Sequence, residues 1–251
     1  MIKGRVSPQA LDLAHSYIMD DWVWDFGYET WRPAALAETI FWFAASGQAI
    51  SHITTVTGWA AHIKKGQLRR IPQPASDRWR GSQQVATLLC QKAGSTAFGW
   101  FTDYDPTEVW EVLQEIKYVG PKIAAWVLRD ISLLRDYSTE IGSRRIAYHD
   151  RDASWFRQLP PEWQAVFLPL DRWVIRGATQ LKIVPESLRL ERLQNGAYYR
   201  EMAGRIASWA GDRHIDPRDL DVYLYLRGTR FLKEDGTTNG IVNLLTTLPE
   251  P

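Results

Sequence analysis

The sequence predicts an all-α protein, and three observations carry that expectation. Apolar residues recur at helical spacing in segment after segment, and runs that alternate with the strand period of two are scarce. The segment after Asp105 also opens as helices do, with a capping carboxylate followed by proline.

Taken along the chain, helical patterns cover Pro8–Met19, Ala34–Ser46, Ile50–Ile63, Arg80–Lys92, Pro106–Lys117, Lys122–Leu134, Asp171–Gln180 and Asn195–Ala210. Another begins near Pro217. Residues 64–79 and 135–165 read as long irregular connections, and 234–251 as a polar tail. There are no internal repeats or low-complexity tracts.

The most informative stretch runs from Glu111 to Asp130. Asp105 is placed to cap its first helix, Pro106 suits the first turn, and Glu108 stands where a capping box needs an acid. Leu113 and Ile116 form an apolar stripe. Gly120 is the residue expected to take a positive φ in the turn, and Pro121 opens the second helix. Ile123, Val127 and Ile131 are expected on that helix's buried face. Lys122 then sits just inside a helix start, whose backbone N–H groups form a natural seat for phosphate.

This pattern resembles the helix-hairpin-helix motif. Val119-Gly-Pro-Lys-Ile-Ala124 is similar to the hairpin of the DNA glycosylases that also cleave the backbone, the endonuclease III and 8-oxoguanine DNA glycosylase relatives. In that superfamily the hairpin grips backbone phosphates through main-chain N–H groups, often around a monovalent cation, and the lysine is the nucleophile. The family usually has glycine where this chain has Tyr118.

Two further segments resemble the same family. Leu168-Pro-Leu-Asp-Arg-Trp-Val-Ile-Arg176 is similar to the stretch holding its catalytic aspartate, especially in the archaeal-type 8-oxoguanine enzymes, although a histidine is usual at the position of Trp173. Asp171 read from the residues alone is an N-cap, with Val174, Ala178 and Leu181 as the apolar face behind it. Phe43-Ala-Ala-Ser-Gly-Gln48 resembles the endonuclease III segment whose glutamine fills the gap left by an extruded base. Lys122 and Asp171 stand further apart than in these relatives, so 135–164 reads as an insertion. Its arginines Arg135, Arg144, Arg145, Arg151 and Arg157, mixed with acids, fit either a DNA contact or a solvated lid.

The resemblance implies two helical lobes, one of about 35–134 and the other of about 1–34 with 165–251. It implies Lys122 and Asp171 as catalytic residues and Gln48, Val119, Gly120 and Lys122 as DNA contacts. Trp126 and Trp173 are candidates for the base pocket, although a structural role suits each as well. The expected activity is a DNA glycosylase and abasic-site lyase, acting through a lysine Schiff base and leaning towards 8-oxoguanine. Alternatives are a glycosylase for an oxidised pyrimidine or an alkylated purine, and a non-catalytic hairpin protein that only binds DNA.

Composition sets further bounds. A formal charge of +1 does not by itself announce nucleic acid, but Lys64, Lys65, Arg69, Arg70, Arg78 and Arg80 face the single acid Asp77 between His62 and Cys90. That excess fits a phosphate track, with Arg69 and Arg70 as candidate contacts, or a solvated loop. The lone Cys90 excludes an internal disulfide and the cysteine-ligated iron–sulfur cluster of the endonuclease III relatives, and the five histidines lack metal-ligand spacing. No side-chain metal site is expected; a monovalent cation at the hairpin backbone is the sole ion the resemblance suggests. The absence of a membrane-length apolar run or a signal-like start points to an intracellular protein. The expected partner is double-stranded DNA with a damaged base, bound by a monomer.

Overall fold

The computed structural model describes residues 33–46, 53–93, 105–139, 156 and 159–230. Among these the chain is helical, with no strand: α1 Pro33–Ser46, α2 Ile53–Lys64, α3 Gln73–Ala93, α4 Pro106–Leu113, α5 Pro121–Thr139, α6 Pro161–Gln164, α7 Arg172–Gln180, α8 Gly196–Gly211 and α9 Pro217–Gly228. Short 3-10 turns lie at Leu68–Arg70, Ala165–Phe167 and Leu190–Gln194. The chain divides into two compact units, Phe26–Ile131 and Met1–Asp25 with Ser132–Pro251. The division falls inside α5. No described helix is long and apolar enough to cross a membrane.

In the Phe26–Ile131 unit the core forms between α1 and α3. Leu36, Ile40, Phe41, Phe43 and Ala44 of α1 are buried almost all round the helix, as a core helix requires. Ala75, Trp79, Ser82, Ala86 and Leu89 form the inward stripe of α3 at helical spacing. Phe41 meets Trp79 edge to face at 5.7 Å, the arrangement that the ring quadrupoles favour. Helix α3 starts at Gln73, well before the Arg80 expected from the sequence. Pro74 hides this, although proline is well tolerated in a helix's first turn, where its missing N–H has no partner to lose. As a result Arg78 belongs to a helix rather than to the irregular connection expected over 64–79.

The other unit is built on α7 packed against α9, with α6 and α8 beside them. The expected face of α7, Val174, Ala178 and Leu181, is buried. Two glycines let α7 and α9 approach closely. A Cβ on Gly177 would collide with the Leu224 carbonyl, and one on Gly228 with the Trp173 carbonyl. Helix α9 is buried over most of its circumference and carries charged groups inward. Asp216 caps it through the Arg218 N–H, and the Arg218 guanidinium returns to the same carboxylate at 2.7 Å. That guanidinium also donates to Ser132 Oγ at 3.1 Å and lies 4.0 Å from the Phe156 ring centroid. Phe156 in turn meets Phe167 edge to face. Buried this deeply, the charges depend on one another, since an unpartnered ion in the interior costs several kcal/mol (about 3–5).

The glycine crossing gives a direct test. Gly177→Ala sets a methyl group against fixed backbone, and the expected loss is about 2–3 kcal/mol, read as a lower thermal midpoint. Gly204→Ala in α8 meets nothing within 4 Å and should instead gain about 0.5–1 kcal/mol from helix propensity.

Candidate functional site

Helices α4 and α5 are joined by a short turn where the sequence places one, with three differences from the local geometry expected. Asp105 does cap α4, accepting from the Thr107 N–H at 2.7 Å, while its carbonyl takes the Glu108 N–H. The helix ends at Leu113 rather than Lys117, and the chain passes through successive turns to Gly120. Positive φ falls on Tyr118, at 69°, and not on Gly120. Leu113 and Ile116 are buried as expected, and so are Val127 and Ile131. Ile123 is only half-buried; Ala124 and Leu128 complete the inner face instead, so the stripe sits slightly round the helix from the expected line.

The turn is held from both sides. Trp110 of α4 donates its indole N–H to the Pro121 carbonyl at 3.1 Å, tying the end of the turn to the preceding helix. Helix α3 supports the other side. Lys117 Nζ lies 2.9 Å from the Asp77 carboxylate, the Arg78 guanidinium packs 5.7 Å from the Tyr118 ring centroid, and Gly81 leaves room for Ile116. The Val119 N–H bonds to the Ile116 carbonyl, and the Ala124 N–H to that of Gly120. A monovalent cation here would be held by backbone oxygens, because residues 117–120 carry no acidic side chain.

Lys122 occupies the first turn of α5 and is half-buried. Its ammonium lies 5.6 Å from the centroid of Trp126, one turn on, within cation–π range. The Trp126 N–H donates to Asp130 Oδ2 at 2.7 Å, and Arg129 Nε donates to Asp130 Oδ1 at 2.8 Å. Lys122, Trp126 and Asp130 thus follow one another at four-residue steps along one face of α5. Burial pushes the Asp130 carboxyl above its ordinary value; Arg129 and the Trp126 hydrogen bond pull in the opposite direction but do not prevail. Sequence reasoning did not single out Asp130. Its visible signal was an acid four residues beyond a tryptophan on a helix whose inner face is otherwise apolar.

Asp171 lies in the other unit. It is the N-cap of α7, its Oδ1 accepting from the Trp173 and Val174 N–H groups at 2.8 and 2.9 Å, and it is half-buried. The extended residues before it are pinned by Tyr199, a fully buried residue of α8 that the sequence did not single out. The Tyr199 hydroxyl donates to the Leu168 carbonyl at 2.6 Å and accepts from the Leu170 N–H at 2.8 Å. Trp173 is half-buried, with the Arg172 guanidinium 4.6 Å and that of Arg176 6.0 Å from its ring centroid.

The remaining candidates divide. Val119 and Gly120 share the turn with Lys122, whereas Gln48 lies outside the described residues. Arg69 and Arg70 are exposed on the 3-10 turn after α2. The expected basic track is reduced: Arg78 is buried at 3% exposure, Lys64 lies 3.4 Å from Glu38, and Arg80 lies 3.6 Å from Asp77. Among the described residues no group of three or more His, Cys, Asp or Glu side chains is arranged to hold a metal ion. Comparison of the chain with protein families, curated proteins and solved structures finds no match.

The Asp130 cluster can be tested through stability. A carboxyl with a raised folded-state pKa takes up a proton on folding, so its contribution to stability falls as pH rises from the ordinary carboxylate value towards the raised one. Asp130→Asn cannot accept from both Trp126 and Arg129, and should lose about 2–3 kcal/mol in urea unfolding. The same variant should lack the Asp130 component of the pH slope. An unchanged slope would show that Asp130 does not titrate in this window.

Proposed function

We propose that this chain is a DNA glycosylase with abasic-site lyase activity, in which Lys122 is the nucleophile. The observation that carries the reading is the turn. The left-handed backbone falls on Tyr118, where the resembled hairpin usually has glycine, and it delivers Lys122 into the first turn of the following helix. A tyrosine in that conformation indicates that the turn's shape overrides the local preference of the residue.

The chemistry follows from the target. The glycosidic carbon of a stacked nucleotide is shielded, so the nucleotide must leave the helix before attack, and Gln48 is assigned to filling the space it vacates. The neutral Lys122 amine attacks C1′ and the bond from C1′ to the base breaks. Asp171 is assigned to accept the amine's proton and to balance the positive charge that develops on the sugar as the base departs. The sugar ring then opens: the C1′–O4′ bond breaks as the lysine nitrogen forms the Schiff base, and O4′ takes the proton that Asp171 is assigned to hold. The Schiff base acidifies the C2′ hydrogen, whose removal expels the 3′ phosphate and nicks the strand. An oxidised purine, 8-oxoguanine, is the favoured substrate because the Leu-Asp-Arg-Trp segment is most similar to that branch.

A DNA-binding protein without this chemistry is the second reading, favoured by one observation. Asp171 Oδ1 already serves as an N-cap, which is reason enough for an aspartate there.

Borohydride trapping separates the two. Duplexes carrying 8-oxoguanine opposite cytosine, or an abasic site, should give a covalent adduct with the wild-type chain and none with Lys122→Gln, while DNA affinity persists. Asp171→Asn keeps the cap, since asparagine and aspartate cap comparably, so its melting temperature should hold while base excision drops about 10²–10⁴-fold. Full excision and cleavage by Lys122→Gln would remove the role assigned to that lysine. Binding without any adduct would leave the second reading.

A further inference from the structure

We propose that Tyr118 is a nucleotide-contacting residue, its ring and the flanking Lys117 forming a platform for a deoxyribose-phosphate unit of duplex DNA, with Arg78 buried behind the ring. This deepens the DNA-binding reading above and rests on it. Tyr118 is 46% exposed at the tip of the hairpin, one of two large apolar side chains exposed among the described residues. It is held in a left-handed conformation that a β-carbon disfavours and that glycine would adopt freely. Turn geometry alone therefore gives no reason for an aromatic side chain here.

The ring's surroundings supply the reason. Lys117 Nζ lies 5.2 Å and Arg78 Cζ 5.7 Å from its centroid, so two cations border one aromatic surface. Lys117 and Arg80 share the single Asp77 carboxylate, so with Arg78 the neighbourhood holds excess positive charge. Arg78 is buried, its Nε lacks a hydrogen-bond partner, and burial pushes its pKa down. An anion arriving at the exposed side of the ring would offset that poorly compensated charge, and the effect is larger across a low-dielectric interior than in water. A ring that served only to cover Arg78 would meet that need buried; nearly half of Tyr118 instead faces solvent. An apolar face bordered by cations matches the alternation of sugar and phosphate along a DNA strand, where bases remain stacked and out of reach.

The test is fluorescence anisotropy of the full chain with a labelled duplex containing a tetrahydrofuran abasic analogue. Tyr118→Gly suits the positive φ, and its melting curve verifies that the variant is folded. Its affinity should fall by roughly three- to tenfold, the scale of losing one aromatic contact. Tyr118→Phe should bind as wild type, and Tyr118→Leu should follow the glycine variant. Wild-type affinity in folded Tyr118→Gly would overturn the inference while leaving the DNA reading standing. If the wild-type chain itself binds none of the duplexes, the DNA reading fails and this inference falls with it.

Discussion

The geometry around Lys122 depends on a single constraint, the left-handed backbone of Tyr118. A residue with a β-carbon adopts that conformation at a cost of roughly 1–2 kcal/mol, so the turn has to be imposed by its surroundings. Helix α3 imposes it through Asp77 on Lys117, Arg78 beneath Tyr118 and the space left by Gly81 for Ile116. Trp110 fixes the far end through the Pro121 carbonyl. Each contact is modest, but together they determine where α5 begins and hence the position of Lys122. The same contacts explain why Arg78 is not a surface cation. It supports the turn from within.

Downstream of the turn, α5 carries the lysine on a rigid element with graded polarity. Trp126 separates the half-buried Lys122 from the buried Arg129 and Asp130, and its ring orientation is fixed by the hydrogen bond to Asp130. A side chain held in this way contributes geometry without further ordering on binding, which is the advantage of building a site on a helix rather than on a loop. The unit that contains Asp171 reaches comparable rigidity by other means. Close glycine contacts lock α7 to α9, and the Tyr199 hydroxyl fixes the extended approach to the cap. Both solutions place hydrogen-bonded polar groups inside, Asp130 with Trp126 and Arg129 in one unit and the Tyr199 hydroxyl with Leu168 and Leu170 in the other.

Much of this was legible in the sequence, for reasons specific to each element. The Asp105–Pro106 and Asp171 caps, Leu113, Ile116 and the α7 stripe follow from short-range rules that tertiary contacts reinforce. The early start of α3 was hidden because Pro74 reads as a breaker until it is recognised as a first-turn residue. Gly120 attracted the positive φ because glycine adopts it at least cost; tertiary support moved it to Tyr118. Asp130 and Tyr199 escaped notice because their importance lies in partners. Tyr199's lie 29 and 31 positions away along the chain, a relationship that local periodicity cannot show.

Charge placement also bears on how such a protein would hold DNA. Of the basic cluster between His62 and Cys90, Arg78 is internal, while Lys64 and Arg80 stand beside acids. Lys64 and Arg80 are nevertheless exposed, as are Lys65, Arg69 and Arg70. Each phosphate neutralised contributes a slope of about −0.9 in the logarithmic dependence of affinity on salt, so a few cations give shallow dependence and little non-specific attraction. The formal net charge of +1 adds little overall attraction. On the proposed reading, affinity must then come from contacts whose strength does not scale with charge count: backbone N–H groups at the hairpin, the Tyr118 surface, and the fit of an extruded nucleotide. An enzyme built this way would discriminate by shape and local distortion of DNA more than by bulk electrostatics, because undamaged duplex offers no nucleotide that leaves the stack readily.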